Sequence, residues 1–167
     1  ADRADGVRAL RRGVRELGPA LLWNPLRPHD LMDPLLEVIG TAKQELVTPD
    51  ACAAWAVARL MICENPAERI VLERHQDIAR VYAHLDERYR RAGVFDFDDC
   101  ILYAERLLRE QPAVRSAIAG RITHVMVDEY QDTNYAQAKL VETLVACPRN
   151  LFVVADGDQS SYKFPGA

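Results

Sequence analysis

The sequence predicts a mixed α/β chain, a mostly helical front portion followed by a βαβ unit of an open parallel sheet. Up to about Arg121, apolar residues recur mainly at three- and four-residue steps. Then comes a short β-branched and apolar run, His124 to Asp128, and a second, Leu151 to Ala155, with a helical pattern between them. Two such runs joined by a helix pair in parallel through a right-handed crossover, which brings both strand ends to one edge. At 167 residues, 49% hydrophobic and 28% charged, the chain is globular rather than disordered.

Ala1 to about Gly18 sets Val7, Leu10, Val14 and Leu17 against Arg8, Arg11, Arg12 and Arg15. This is an amphipathic helix with a basic, solvated face, whose alternative use is contact with a DNA backbone. Leu21 to Asp30 contains Pro25 and Pro28 and reads as a connector. Asp30 to Leu46 is helical through Leu31, Leu35, Val38, Ile39, Ala42 and Leu46. Thr48 is placed to cap the next helix, with Pro49 at its first position and Asp50 at the positive end of the dipole. That helix reaches Cys63 or Glu64, where Asn65-Pro66 interrupts it.

From Ala67 to Arg91, one stripe runs through Ile70, Ile78, Val81, Tyr82, Leu85 and Tyr89. Arg88, Arg90 and Arg91 suit the last turn, and Gly93 stops the helix. Asp96, Asp98 and Asp99 invite a metal reading, but lack the glycine and terminal glutamate of a calcium loop. Asp96 as N-cap with Asp98 and Asp99 in the first turn is the better account, with Phe97, Ile101, Ala104 and Leu108 as the buried stripe. Gln111-Pro112 breaks this helix, and Ala113 to Arg121 forms a short one. His124 to Asp128 reads as a buried strand, and about Asn134 to Ala146 as a helix turning Ala136, Leu140, Leu144 and Val145 to the sheet. Pro148 ends it before the strand Leu151 to Ala155.

Several classes are excluded. No apolar run approaches a membrane span, and the N-terminal arginines precede no signal core, so no membrane is involved and a cytoplasmic location is expected. Cys52, Cys63, Cys100 and Cys147 form no Cys-x-x-Cys pair, and His29, His75, His84 and His124 show no ligand spacing with them; buried or partly buried thiols are expected. The net charge of −4 gives no global basic footprint.

The chemistry concentrates in Val127-Asp128-Glu129-Tyr130-Gln131-Asp132-Thr133-Asn134. Two adjacent carboxylates at the C-terminal end of a parallel strand stand where open α/β sheets bind ligands. In phosphate chemistry one holds a hydrated Mg²⁺ and the other orients or deprotonates a water. The plainer use of the same turn is capping of the next helix by Asp132, Thr133 and Asn134. Asp156 to Gln159, after the second strand, is expected in the same crevice.

That string, with Gln137 beyond it, and a second, Val154-Ala155-Asp156-Gly157-Asp158-Gln159-Ser160-Ser161-Tyr162-Lys163-Phe164-Pro165-Gly166-Ala167, resemble the Walker B segment and the coupling motif of UvrD/Rep-type superfamily 1A DNA helicases. Ile39 to Pro49 resembles the I-S-x-x-K-N-x-L-x-x-P stretch of their inserted domain 1B, with Gly40 and Gln44 for serine and asparagine. Phe95 to Leu102 is similar to their D-F-D-D-L-L signature, with Cys100 for the first leucine.

The resemblance implies a domain 1B-like region over 1–94 and part of a RecA-like motor domain 1A over 95–167. It implies that Asp128 binds Mg²⁺ and ATP, that Glu129 activates the water, and that Gln159 senses the γ-phosphate and couples its loss to DNA. Phe164 would stack on a base of single-stranded DNA beside Tyr162, for which core burial is the preferred reading.

The implied activity is ATP-driven translocation on single-stranded DNA and unwinding at single-strand/duplex junctions, 3′ to 5′, in repair or recombination. No Gly-x-x-x-x-Gly-Lys-Ser/Thr loop occurs, and Gly40-Thr41-Ala42-Lys43 has the wrong order. The chain is therefore expected to be an excised piece, inactive alone, needing the parent's Walker A segment and second RecA-like domain. Ala155, Ser161 and Pro165 replace the usual glycine, isoleucine and arginine. Loss of that arginine keeps a non-catalytic helicase-like DNA-binding module as the alternative. A Mg²⁺-dependent nuclease is disfavoured, because two-metal sites need carboxylates converging from several elements.

Overall fold

The computed structural model describes residues 3–18, 31–145 and 150–156. The chain forms two compact units, Ala1–Asp99 and Cys100–Ala167. The first contains α1 (Arg3–Leu17), α2 (Met32–Gln44), α3 (Pro49–Ile62), α4 (Pro66–Ala92) and the first turn of α5 (Phe97–Glu110). The second contains the rest of α5, α6 (Pro112–Ala119), β1 (Val125–Val127), a 3-10 turn (Tyr130–Asp132), α7 (Tyr135–Val145) and β2 (Leu151–Val153). The described chain is thus mostly helical with one small parallel sheet. No helix among the described residues is long and apolar enough to cross a membrane.

The core of the first unit joins three helices. Leu10 and Val14 of α1, Met32, Leu35 and Ile39 of α2, and Val81, Tyr82, Leu85 and Tyr89 of α4 pack together. Tyr82 is buried as expected, and its hydroxyl donates to the Val47 carbonyl at 3.2 Å. On the outer face of α1, Arg8, Arg12 and Arg15 are exposed; Arg8 pairs with Asp5, and Arg12 with Glu16. The helix ends follow the expected chemistry. The Thr48 hydroxyl accepts from the Ala51 amide at 3.2 Å, and Gly93 closes α4 in the left-handed region at φ 64°. Asn65, expected as an interruption, also accepts from the Ala67 amide and so starts α4. Thr48→Ala should lower unfolding free energy by about 1 kcal/mol in urea titration, since it leaves an amide of the first turn unpaired.

The stripe expected on α4 needs correction at Ile70, which is exposed, whereas Leu72 and Ala79 are buried. At 27 residues α4 packs on α3 as well as on α1, so no single stripe serves its whole length. A second correction concerns α5. Phe97 is 75% exposed and Ile101 and Ala104 are half-buried, while Asp99, Leu102, Glu105 and Leu108 are buried.

An ion cluster at the start of α5 accounts for the burial of Asp99. Asp96 accepts from the Asp99 amide at 2.8 Å, and Asp99 reciprocally from the Asp96 amide at 3.1 Å, a capping box closed by an aspartate. The Lys43 ammonium, 2% exposed, lies 2.6 Å from Asp96 and 2.7 Å from Asp99, itself 2% exposed. Gln44 donates to Asp98 at 3.1 Å, and a Cβ on Gly40 would meet the other Asp98 oxygen at 3.1 Å. The Gly40 and Gln44 substitutions thus act on one carboxylate, the glycine giving it room and the longer amide reaching it. Lys43 belongs to this cluster and not to a phosphate loop.

The strands differ from expectation too. Met126 is 78% exposed, Phe152 63%, and every residue of β2 is exposed, so the strands are not buried. Their two-sided apolar sequence calls for cover on both faces, whereas among the described residues the sheet has two strands and touches α7. Of the four residues expected to turn to the sheet from α7, Ala136 is buried and Leu140, Leu144 and Val145 are half-buried. Cys52 and Cys63 are half-buried, whereas Cys100 is exposed, against the expectation; Cys147 lies outside the described residues.

Candidate active site

β1 and β2 pair in parallel, with Val125 opposite Leu151, Met126 opposite Phe152 and Val127 opposite Val153. The pairing continues beyond the strands. The Val154 amide donates to the Val127 carbonyl at 2.9 Å, and the Tyr130 amide donates to the Val154 carbonyl at 3.0 Å. The backbone therefore holds residues 128–130 beside residues 154–156 at the C-terminal edge of the sheet, as the crossover rule required.

Asp128 and Glu129 stand there exposed and adjacent. The Asp128 Oδ1 accepts from the Glu129 amide at 3.0 Å. Glu129 occupies the left-handed region, φ 53° and ψ 42°, which costs a non-glycine residue about 1–2 kcal/mol. The turn is held from its far side: the Asp132 amide donates to the Glu129 carbonyl at 2.9 Å, and the Thr133 hydroxyl donates to the Tyr130 carbonyl at 2.7 Å. Asn134 and Gln137 then cap α7 reciprocally, each side chain accepting from the other's amide, at 2.9 and 3.0 Å. So Asn134 caps the helix, while Asp132 and Thr133 build the turn that carries the acids.

One contact went unread in the sequence. Gln131 donates from Nε2 to the Glu129 carboxylate and accepts at Oε1 from the Asp156 amide at 3.0 Å. The signal was its place two residues beyond Glu129 in a tight turn, which returns a side chain toward the acid. The structure brings Asp128, Glu129, Gln131 and Asp156 to one edge. Gln159, Tyr162 and Phe164 lie outside the described residues, as do Ser161 and Pro165.

No group of three or more His, Cys, Asp or Glu side chains able to hold a metal occurs among the described residues. A single exposed carboxylate such as Asp128 still fits Mg²⁺, which keeps several waters and takes its remaining ligands from substrate phosphates.

A parallel strand that ends in adjacent acids, next to a second strand carrying another acid on the following loop, sets the acids at the edge where open α/β sheets place their ligands. Residues 24–167 match the family described as UvrD/REP helicase N-terminal domain, and the chain belongs to that family. It is 36% identical over 137 residues to the ATP-dependent DNA helicase Rep of Escherichia coli (strain K12), covering 82% of this chain and 18% of that protein. Against the ATP-dependent DNA helicase UvrD1 of Mycobacterium tuberculosis (strain ATCC 25618 / H37Rv) the identity is 38% over 140 residues, or 80% and 17% of the two chains. The ATP-dependent DNA helicase PcrA of Staphylococcus aureus (strain Mu50 / ATCC 700699) is 40% identical over 92 residues, 55% of this chain and 13% of that protein. The chain thus spans less than a fifth of the length of these relatives.

Proposed function

We propose that this chain is a segment of a longer ATP-dependent DNA helicase, in which 1–94 is a domain 1B-like helical region and 95–167 is part of a RecA-like motor domain. The observation that supports it best is the pairing of Asp128 and Glu129 at the C-terminal end of β1, alongside the loop that leaves β2. Asp128 would hold the hydrated Mg²⁺, which supplies charge neutralisation across the phosphates when bound. Glu129 would orient the attacking water and take its proton. Gln159 would contact the γ-phosphate, since an amide can donate to phosphate while accepting from a neighbour. Phe164, beside Tyr162, would stack on a base of single-stranded DNA, a contact tolerant of sequence and suited to a translocating motor.

The whole protein would move 3′ to 5′ on single-stranded DNA and unwind at single-strand/duplex junctions in cytoplasmic DNA repair or recombination. The segment alone would not turn over ATP, because it contains no Walker A sequence and would need a second RecA-like domain. The test is phosphate release by the full-length protein, with and without single-stranded DNA. Strong stimulation by DNA is the expected result. Hydrolysis indifferent to DNA would place the defect in coupling, at Ser161 or Pro165. No hydrolysis would favour the second reading, a non-catalytic helicase-like DNA-binding module, to which the proline at 165 in place of the family's usual arginine points.

A further inference from the structure

We infer that Gln131 is a positioning residue that holds the Glu129 carboxylate in place and ties it to the backbone of the loop leaving β2. The inference rests on the proposed role of Glu129. It starts from the conformation of Glu129, whose left-handed backbone aims its side chain along a path that an ordinary strand end would not give. An exposed carboxylate on such a turn is free to rotate into water unless a donor restrains it. Gln131 Nε2 supplies the donor.

The other end of the same amide accepts from the Asp156 N–H at 3.0 Å. One planar group therefore links the acid after β1 to the chain after β2, three residues before Gln159. A shift of the β2 loop moves the Asp156 amide. Because the Gln131 amide is rigid, that shift turns its donor relative to Glu129. The clasp would make alignment of the water-activating acid depend on the position of the Asp156 backbone. Backbone pairing of Tyr130 with Val154 holds the two loops side by side without Gln131, so loss of the clasp leaves the sheet edge assembled.

Two substitutions separate its halves. Gln131→Met keeps length and volume and removes both hydrogen bonds. Gln131→Glu keeps an acceptor for Asp156 but loses the donor and sets a second carboxylate against Glu129. In the full-length protein, Gln131→Met should lower kcat roughly tenfold to a hundredfold, the scale of a misplaced catalytic group. KM for ATP should stay within about threefold, and the stimulation by single-stranded DNA should fall with kcat. Gln131→Glu should lose at least as much kcat, with ATP binding retained.

A purely structural role would instead lower Tm and raise KM together, and that outcome would overturn the inference. So would wild-type kcat in Gln131→Met, or wild-type kcat in Gln131→Glu, which would show that no donor to Glu129 is needed. Glu129→Gln runs beside them. If that variant hydrolyses ATP normally, the role of Glu129 itself is wrong. If it is inactive while Gln131→Met is normal, the clasp alone fails.

Discussion

Lys43→Met should destabilise the first unit by about 3 kcal/mol at neutral pH, the cost of leaving a buried charge without its partner. Lys43 and Asp99 are almost fully buried, and Asp96 is nearly three-quarters so. Methionine fills most of the volume, so the loss isolates the charge rather than a cavity. Burial pushes the Asp99 carboxyl up from 3.8, and the Lys43 hydrogen bond and charge oppose that rise. An acid whose folded pKa is raised binds its proton more tightly when folded. Its contribution to stability is therefore present below the unfolded value and is lost as pH rises through the folded one. Removing Lys43 lifts Asp99 further, so the deficit of Lys43→Met should shrink as pH falls toward about 4. Urea unfolding across pH measures this, and adding Asp99→Asn should recover part of the loss at neutral pH. A deficit below about 1 kcal/mol that does not change with pH would show that the cluster contributes little.

Glu129→Gln should reduce ATP hydrolysis by the full-length protein by roughly 10²- to 10⁴-fold, the usual contribution of a general base. The amide keeps the size of the side chain and can still touch a water, but it cannot accept the proton. Nucleotide binding should persist, because the substitution leaves unaltered Asp128 and the metal it is proposed to hold. Single-turnover phosphate release, beside fluorescent-nucleotide binding, distinguishes the two steps. Hydrolysis within about threefold of wild type would remove Glu129 from the chemistry and leave its left-handed backbone without a functional account.

Local signals determined much of this chain. Helix starts at Thr48-Pro49 and Asp96, the break at Asn65-Pro66, the stop at Gly93, and the parallel strands either side of a helix depend on short-range sterics and capping, and all were legible in order. So was the placement of Asp128, Glu129 and Asp156 at one edge, since parallel pairing puts both strand ends on the same side. Long strings around Asp128 and Phe95 pointed to the helicase family that the match over residues 24–167 shows.

What the tertiary structure alone decided turns on polar contacts between distant segments. Apolar spacing placed Phe97 inward, but it is Asp99, paired with Lys43 across more than fifty residues, that is buried at the start of α5, while the Phe97 ring stands in solvent. No periodicity in the sequence encodes that, because a charge is read as a surface feature until its partner is known. The Gln131 clasp is of the same kind. Its two hydrogen bonds become visible when the crossover sets the turn after β1 against the loop after β2, with Glu129 bent into the left-handed region.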